Sequence, residues 1–464
     1  MATENRTFVV EHHSIDYIPE TERHGRPFSL FTLWFSANMQ VTTVVTGAIA
    51  VSLGLPLVWA LVAIVVGNVL GGIVMALHSA QGPVMGVPQM IQSRAQFGFY
   101  GALLPLVLVI LMYLGFFASS AVLGGQALAA WTGLSVTVSI IIVSIICTIL
   151  AVFGYDMIHR YEGVVSVLFL VGFIYLTARV LSSSGAGKAF AAGGSFSFGT
   201  FLLVVSIMAT WQITYGPYVA DYSRYLPSRT SISVPFWWTY AGSVISSIWM
   251  MALGSIAVAV AGSSFENDSV RYIVQQAGSG AVGGIFYLLV ILGIIAANVL
   301  NLYGIFLTTT TTVSALQRFR TSLGTRLAFV LIAAVIGTVV AVLGQGNFIT
   351  NYTNFLLLLL YFVIPWSAIN LVDFYLLRHE QYDIPAIFDP DGIYGRVNWR
   401  AILAYIVAIL LELPFVSTTL YTGPLVNYLG GADISWIIGL AVAAIVYYVL
   451  MKPQIVTQRE TTVR

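Results

Sequence analysis

Apolar and polar positions along this chain come in long blocks, with little fine alternation. Apolar runs of about 20 residues or more, enough for a helix to cross ~30 Å of hydrocarbon, lie near 29–51, 57–78, 99–130, 134–153, 163–182, 198–220, 235–262, 283–313, 326–344, 352–377, 400–419 and 434–452. We number them spans 1 to 12. The longest polar interruptions are 183–197, 263–282 and 378–399, and polar tails flank the whole at 1–28 and 453–464. In lipid every backbone polar group needs a partner within the protein, so runs of this kind cross as helices. The pattern predicts an all-α membrane protein of twelve transmembrane helices.

Composition sharpens the picture. The chain is 58% hydrophobic and only 8% charged, against roughly 25% charged in soluble domains. It cannot coat a water-facing surface of its size, so its principal partner is the lipid bilayer. A net charge of +1 offers no basic face for nucleic acid. The single cysteine, Cys147, sits in an apolar run, which leaves no disulfide framework or thiolate metal cluster. The polar N-terminus has no cleavable signal pattern.

Nineteen basic residues orient the spans. Sixteen fall on one side: Arg6, Arg23, Arg26, Arg94, Arg160, Arg224, Arg229, Arg318, Arg320, Arg326, Arg378, Arg396, Arg400, Lys452, Arg459 and Arg464. Arg179, Lys188 and Arg271 fall on the other. Basic loops stay in the cytoplasm, so both termini are expected there, in a plasma (inner) membrane. An even number of spans likewise puts both termini on one side.

Several function classes drop out. The "GAGK" at 185–188 lacks the spacing of a phosphate loop, and no interruption can house a nucleotide-binding domain. An enzyme needs a nucleophile–base pair or metal ligands. Cys147 has no histidine near it in sequence, and His78, His159 and His379, read as interfacial, have no metal-site spacing. No catalytic residue, cofactor or metal is expected. The tails are too short for a sensor's output domain. Transport remains, with a membrane sensor or a channel as the remote alternative.

Two spans carry the signs of a break. Span 1 reads "LWFSANMQVTTVVTGA", with Ser36, Asn38, Gln40, Thr42 and Thr43 crowded into its middle. Span 6 reads "IMATWQITYGPYVADYSRY", with Gln212, Thr214 and Gly216–Pro217. An interrupted helix in lipid survives where it lines a cavity. The two lie five spans apart and so run in opposite directions, as in transporters whose inverted five-helix repeats each open on a broken helix. The plainer reading is an ordinary span 1 and a Gly-Pro kink. On span 8, Asn298 and Asn301 are one turn apart and share a face; interhelical bonding competes with ligand contact for them. On span 3, Phe116 and Phe117 stand among small residues, as the wall of a flat slot or as plain packing. Glu412 is the one carboxylate well inside a span. Such a group is a functional candidate by default.

"YGPYVADYSRYLP" (215–227), "GFFASSAVLGGQAL" (115–128) and "GPVMGVPQMIQSRAQFG" (82–98) together resemble the nucleobase:cation symporter-1 family, nearest its purine–cytosine permease branch. The resemblance runs over at least 29–450. It implies a LeuT-type fold: inverted repeats at 29–182 and 198–377, broken helices 1 and 6, and two peripheral helices at 400–452. It also implies import of a nucleobase such as cytosine or a purine, or a related small heterocycle, with Na⁺ or H⁺. Allantoin, hydantoin, or a vitamin such as pyridoxine or thiamine are the alternatives.

Carried over by position, the family's span 3 aromatic falls on Phe116 and its hydrogen-bonding neighbour on Ser120. The span 6 aromatic falls on Trp211, Gln212 or Tyr215. The span 8 amide matches Asn298, with Asn301 beside it, and Gln40 matches a polar residue of span 1. The cation site of sodium-coupled relatives falls on Ser36 and Met39 in span 1 and on Gly293, Ala296 and Ala297 in span 8. Those three carry no side-chain oxygen, and a hard cation wants several oxygen ligands, so H⁺ is preferred, with Glu412 a candidate carrier. Asp221 and Arg224 fall where a gate or helix-end network is expected.

Overall fold

The computed structural model describes residues 15–153, 155–262, 265, 268–316 and 322–462. Arg6, Arg318, Arg320 and Arg464 of the orientation pattern, with 1–14 and 463–464 of the terminal tails, lie outside the described residues, as do the side chains of His159, Arg160 and Arg459.

All twelve predicted spans are helical. Spans 2, 3, 6, 7, 8 and 12 and the 9–10 hairpin (324–377) are long and apolar enough to cross a membrane. Span 1 is split into Pro27–Ala37 and Val41–Ser52, and spans 4 and 5 contribute the shorter apolar helices Val136–Val152 and Val167–Leu181. Span 11 differs from expectation. Its helix runs Trp399–Glu412, tightens through Leu413–Phe415, and ends in a loop closed by a Ser417–Thr422 bridge, short of the predicted 419. Pro414 and the β-branched run after it cannot continue the helix.

The packing pattern is its own image when span 1 is exchanged with 6, 2 with 7, 3 with 8, 4 with 9 and 5 with 10. Span 1 packs on 7 and span 2 on 6; span 5 packs on 8 and span 3 on 10; span 9 packs on 3 and span 4 on 8. The 2–3 connector carries a helix, Gln89–Phe97, and the corresponding 7–8 connector carries Ser269–Ala277. Glycine makes the tightest crossing. A Cβ on Gly254 of span 7 would lie 1.8 Å from the Val44 carbonyl oxygen of span 1. Removing that carbon lets backbones touch where lipid supplies no hydrophobic drive for helix pairing. Ile145, Ile149, Val171, Ile174, Val335 and Val339 on spans 4, 5 and 9 face outward, as a lipid-exposed surface requires.

The two breaks differ. At span 1 the chain leaves helical geometry: Gln40 is extended (φ −144°, ψ 158°). At span 6 it makes only a turn. Phe198–Ile213 ends, Thr214 and Tyr215 stay near helical angles, and Gly216–Ser223 starts with Pro217 in its first turn. The Tyr215 and Val219 amides still find carbonyl partners. The backbone at the Gly-Pro break thus stays paired, and proline sits where its missing N–H costs nothing.

Candidate functional site

A cavity of about 930 Å³ lies between spans 1, 3, 6 and 8. Gln40, Phe116, Ser120 and Trp211 line its inner part, and Ser29, Tyr225 and Leu307 line its far part, toward the end of the molecule where span 1 begins. Beyond Met39 and Gln40, in the direction of the Ser269–Ala277 helix, only a void of about 20 Å³ remains, walled by Phe169, Phe173, Ile273 and Phe286. The cavity therefore widens toward the end where span 1 begins and narrows toward the Ser269–Ala277 helix.

Most of the predicted binding residues meet here. Gln40, Phe116, Ser120, Trp211, Tyr215 and Asn301 line the cavity, as do Ser36, Met39, Gly293, Ala296 and Ala297. Three expectations need correction. Gln212 is fully buried, away from the cavity wall. It donates to Asn68 Oδ1 (2.9 Å) and Ser247 Oγ (3.0 Å) and accepts from Ser243 Oγ (2.6 Å), which makes it interhelical glue. Asn298 is also fully buried and does not line the cavity. Its Nδ2 donates to the Phe117 carbonyl (3.1 Å) and its Oδ1 accepts from Asn301 Nδ2 (3.1 Å), so Asn301 is the amide at the wall. Glu412 is remote. Its carboxyl lies fully buried against Gly439 of span 12, with neither oxygen hydrogen-bonded among the described residues.

The aromatic walls touch. The Phe116 and Trp211 rings lie 6.1 Å apart at 90°, and Phe116 meets Phe355 at 5.2 Å and 84°. A ring sandwiched between two others needs parallel walls about 7 Å apart, twice the ~3.5 Å contact distance. The slot is closed edge-to-face in this state.

Asn38 was not singled out as a site residue, yet it holds the break together. Fully buried, it accepts from Trp211 Nε1 (2.6 Å) and Tyr215 OH (3.0 Å), and its Nδ2 donates to the Trp34 carbonyl (2.9 Å) and Ser243 Oγ (3.1 Å). One amide thus binds spans 1, 6 and 7. The signal was an asparagine at an unwound position, which must find partners when buried.

Toward the wide end, Asp221 accepts from the Gln89 backbone amide (2.7 Å) and so caps the connector helix. Arg224, buried, donates to the Asp221 carbonyl (3.2 Å) and lies over the Tyr225 ring. Behind them His78 is buried, stacked on Trp366 at 4.9 Å and bonded to Ser367 (2.6 Å), which corrects its interfacial assignment. It belongs to a polar network that reaches Asp373, the acceptor for Arg378, Tyr382 and Tyr447. Burial pushes the Arg378 guanidinium down, while the Asp373 carboxylate and the neighbouring tyrosines pull it up; the net displacement is upward from the ordinary arginine value.

A permease family described as "Permease for cytosine/purines, uracil, thiamine, allantoin" matches residues 17–439. The chain belongs to this family. Among its relatives, the "Putative purine-cytosine permease YxlA" of Bacillus subtilis is 46% identical over 446 residues, 96% of this chain and 97% of that protein. Among solved structures, the nucleobase-cation-symport-1 family transporter Mhp1, closed with bromovinylhydantoin bound, superposes with a TM-score of 0.77 at 21% identity, over 96% of each chain. Its inward-facing conformation gives 0.77 at 22% identity, over 99% of this chain and 96% of that one. The permease accordingly has the LeuT-type fold with broken helices 1 and 6 and two peripheral helices. It is a multi-pass membrane transporter and not an enzyme.

Proposed function

We propose that the permease imports a nucleobase, cytosine or a purine, by symport with a cation, with repeats at 29–182 and 198–377 rocking about the cavity. The observation that carries this reading is the cavity at the breaks of spans 1 and 6, lined by Phe116, Trp211, Tyr215, Asn301 and Gln40. A planar base offers faces for the rings, worth about 1–3 kcal/mol per stacked base, and an edge for the amides. The curated relative named a purine–cytosine permease supports this substrate class over hydantoin, allantoin or a vitamin.

The coupling cation in this reading is H⁺. Gly293, Ala296 and Ala297 bring no side-chain oxygen to the wall, and the Ser36 carbonyl is already engaged by the Met39 amide at 2.9 Å. Both termini lie in the cytoplasm by the arginine pattern, so the wide end faces inward, and Asp221 with Arg224 forms part of the inner gate. The test is uptake of radiolabelled cytosine into proteoliposomes, with and without an imposed proton gradient and with sodium replaced by choline. Uptake that follows the proton gradient and ignores sodium is expected. Sodium-dependent uptake refutes the coupling, and no uptake or binding of any nucleobase refutes the function.

A further inference from the structure

Arg94 lies on the Gln89–Phe97 helix of the 2–3 connector and is only 4% exposed. Its guanidinium carbon sits 4.3 Å over the Phe99 ring. A ring face attracts a cation but offers its N–H groups no lone pair. Among the described residues Arg94 makes no ion pair and no side-chain hydrogen bond. Burial pushes this guanidinium down to about 10, so it stays charged at neutral pH. A buried charge without a counter-charge is costly. Of its three nitrogens only Nε is wholly enclosed. Access is left at the Nη end, beside half-buried Phe99 and exposed Tyr100, which meet edge-on at 5.2 Å.

The fold brings two more uncompensated cations to this corner. The Phe99 and Tyr100 amides donate to the Gly395 and Arg396 carbonyls at 3.0 and 2.8 Å. Asn398 donates to the Phe97 and Gln96 carbonyls, both at 2.7 Å, and its Oδ1 accepts from the Arg400 amide at 3.2 Å. Span 11 therefore starts on the turn that carries Phe99. Arg400 donates to Gln454 at the end of span 12, where Lys452 lies 5.1 Å from the Tyr448 ring. Both of those partners are neutral. Arg396 is the exception, paired with Asp391 at 2.9 Å. Trp399 and Tyr100 are exposed, as rings at a membrane–water boundary are. Leu104 and Leu403, one turn further into their spans, are exposed too.

We propose that this corner binds the phosphate group of an anionic phospholipid, with the Arg94 Nη end as the deep contact and Arg400 and Lys452 at the rim. The inference stands apart from the transport reading and needs only that the chain crosses a bilayer. A guanidinium gives phosphate oxygens paired, charge-assisted bonds. A zwitterionic headgroup would add its own ammonium to three cations, whereas an anionic one neutralises them. Leu104 and Leu403 offer a wall to acyl chains, which a free phosphate cannot use.

The experiment is native mass spectrometry of the purified permease with phosphatidylglycerol and phosphatidylcholine supplied in equal amounts. Phosphatidylglycerol is expected to be retained about tenfold or more over phosphatidylcholine, and Arg94→Gln or Arg400→Gln to lower that preference about fivefold each, the worth of one basic residue at a charged membrane surface. Arg229→Gln, an exposed cation of the 6–7 loop, should leave it unchanged. A wild-type preference near one overturns the proposal, as does an unchanged preference in Arg94→Gln or an equal fall in Arg229→Gln. Millimolar inorganic phosphate, against chloride of equal ionic strength, should not displace the lipid; displacement reassigns the site to free phosphate and overturns the lipid assignment. Arg400 is exposed, so Arg400→Gln decides the matter if Arg94→Gln does not fold: a fivefold fall supports the site and an unchanged preference overturns it.

Discussion

Replacing Asn38 by alanine tests whether one amide organises the broken centre. The substitution removes the acceptor of Trp211 Nε1 and Tyr215 OH and the donor to Trp34 and Ser243. Each orphaned buried donor costs about 1–3 kcal/mol. Trp211 and Tyr215 border the cavity, so water recovers part of this, and a net loss of about 2–4 kcal/mol in stability follows. The Trp211 ring also loses its tether. Holding a rotamer-rich side chain for binding costs about 0.5–1.5 kcal/mol, which predicts a rise in KM of roughly 3- to 10-fold with a smaller change in maximal rate. The assay is cytosine uptake by Asn38→Ala, Trp211→Phe and the double variant, with a thermal-shift measurement on purified protein. Because the two side chains share a bond, the double variant should cost less than the sum of the singles. An Asn38→Ala protein of unchanged melting temperature and unchanged KM, or strict additivity, would refute the argument.

Gly254→Val should block assembly of the 1–7 crossing, since its Cβ alone lies 1.8 Å from the Val44 oxygen; full-length protein that is lost from the membrane fraction is the expected readout. Asp373→Ala leaves the buried Arg378 without its carboxylate (3.1 Å) and should lower stability by about 3–5 kcal/mol, read by thermal shift in detergent. Asp221→Ala removes the cap on the Gln89 amide and should cost about 0.5–2 kcal/mol locally, seen as faster hydrogen exchange over 89–97. Glu20, whose carboxyl is held below its ordinary value by the Ser228 amide, docks the N-terminal segment on the 6–7 loop. Its folded value is depressed, so the docking is present above about pH 4.5 and lost as the pH falls through the lowered value. Exchange protection of Ser228, corrected for intrinsic rate, should fall with acid, and Glu20→Gln should abolish that dependence.

The architecture was legible because lipid enforces it. Twelve apolar runs, an odd offset between polar-crowded spans and small residues at crossings all follow from the cost of unpaired backbone in hydrocarbon. The place of the site was legible for the same reason. What escaped was the direction in which each polar side chain is spent. Gln212 and Asn298 have the chemistry of ligand contacts, but the helix beside each supplies a donor or acceptor first. Asn301, one turn further, is at the wall with its nitrogen engaged by Asn298. Asn38 is one of five polar residues crowded into the middle of span 1, and sequence could not rank it above Gln40. His78 lies at a helix end, where its neighbours Trp366 and Ser367 come from a span almost three hundred positions away.

The perpendicular contact of Phe116 with Trp211 bears on the unloaded half of the transport cycle. A carrier must travel back without cargo, and open aromatic faces would then have to be wetted and dried at every turn. Rings folded onto each other keep those faces dry until a flat guest prises them apart. A guest that stacks there must first break that contact, which discounts its stacking gain by the worth of the ring pair, about 0.5–1.5 kcal/mol.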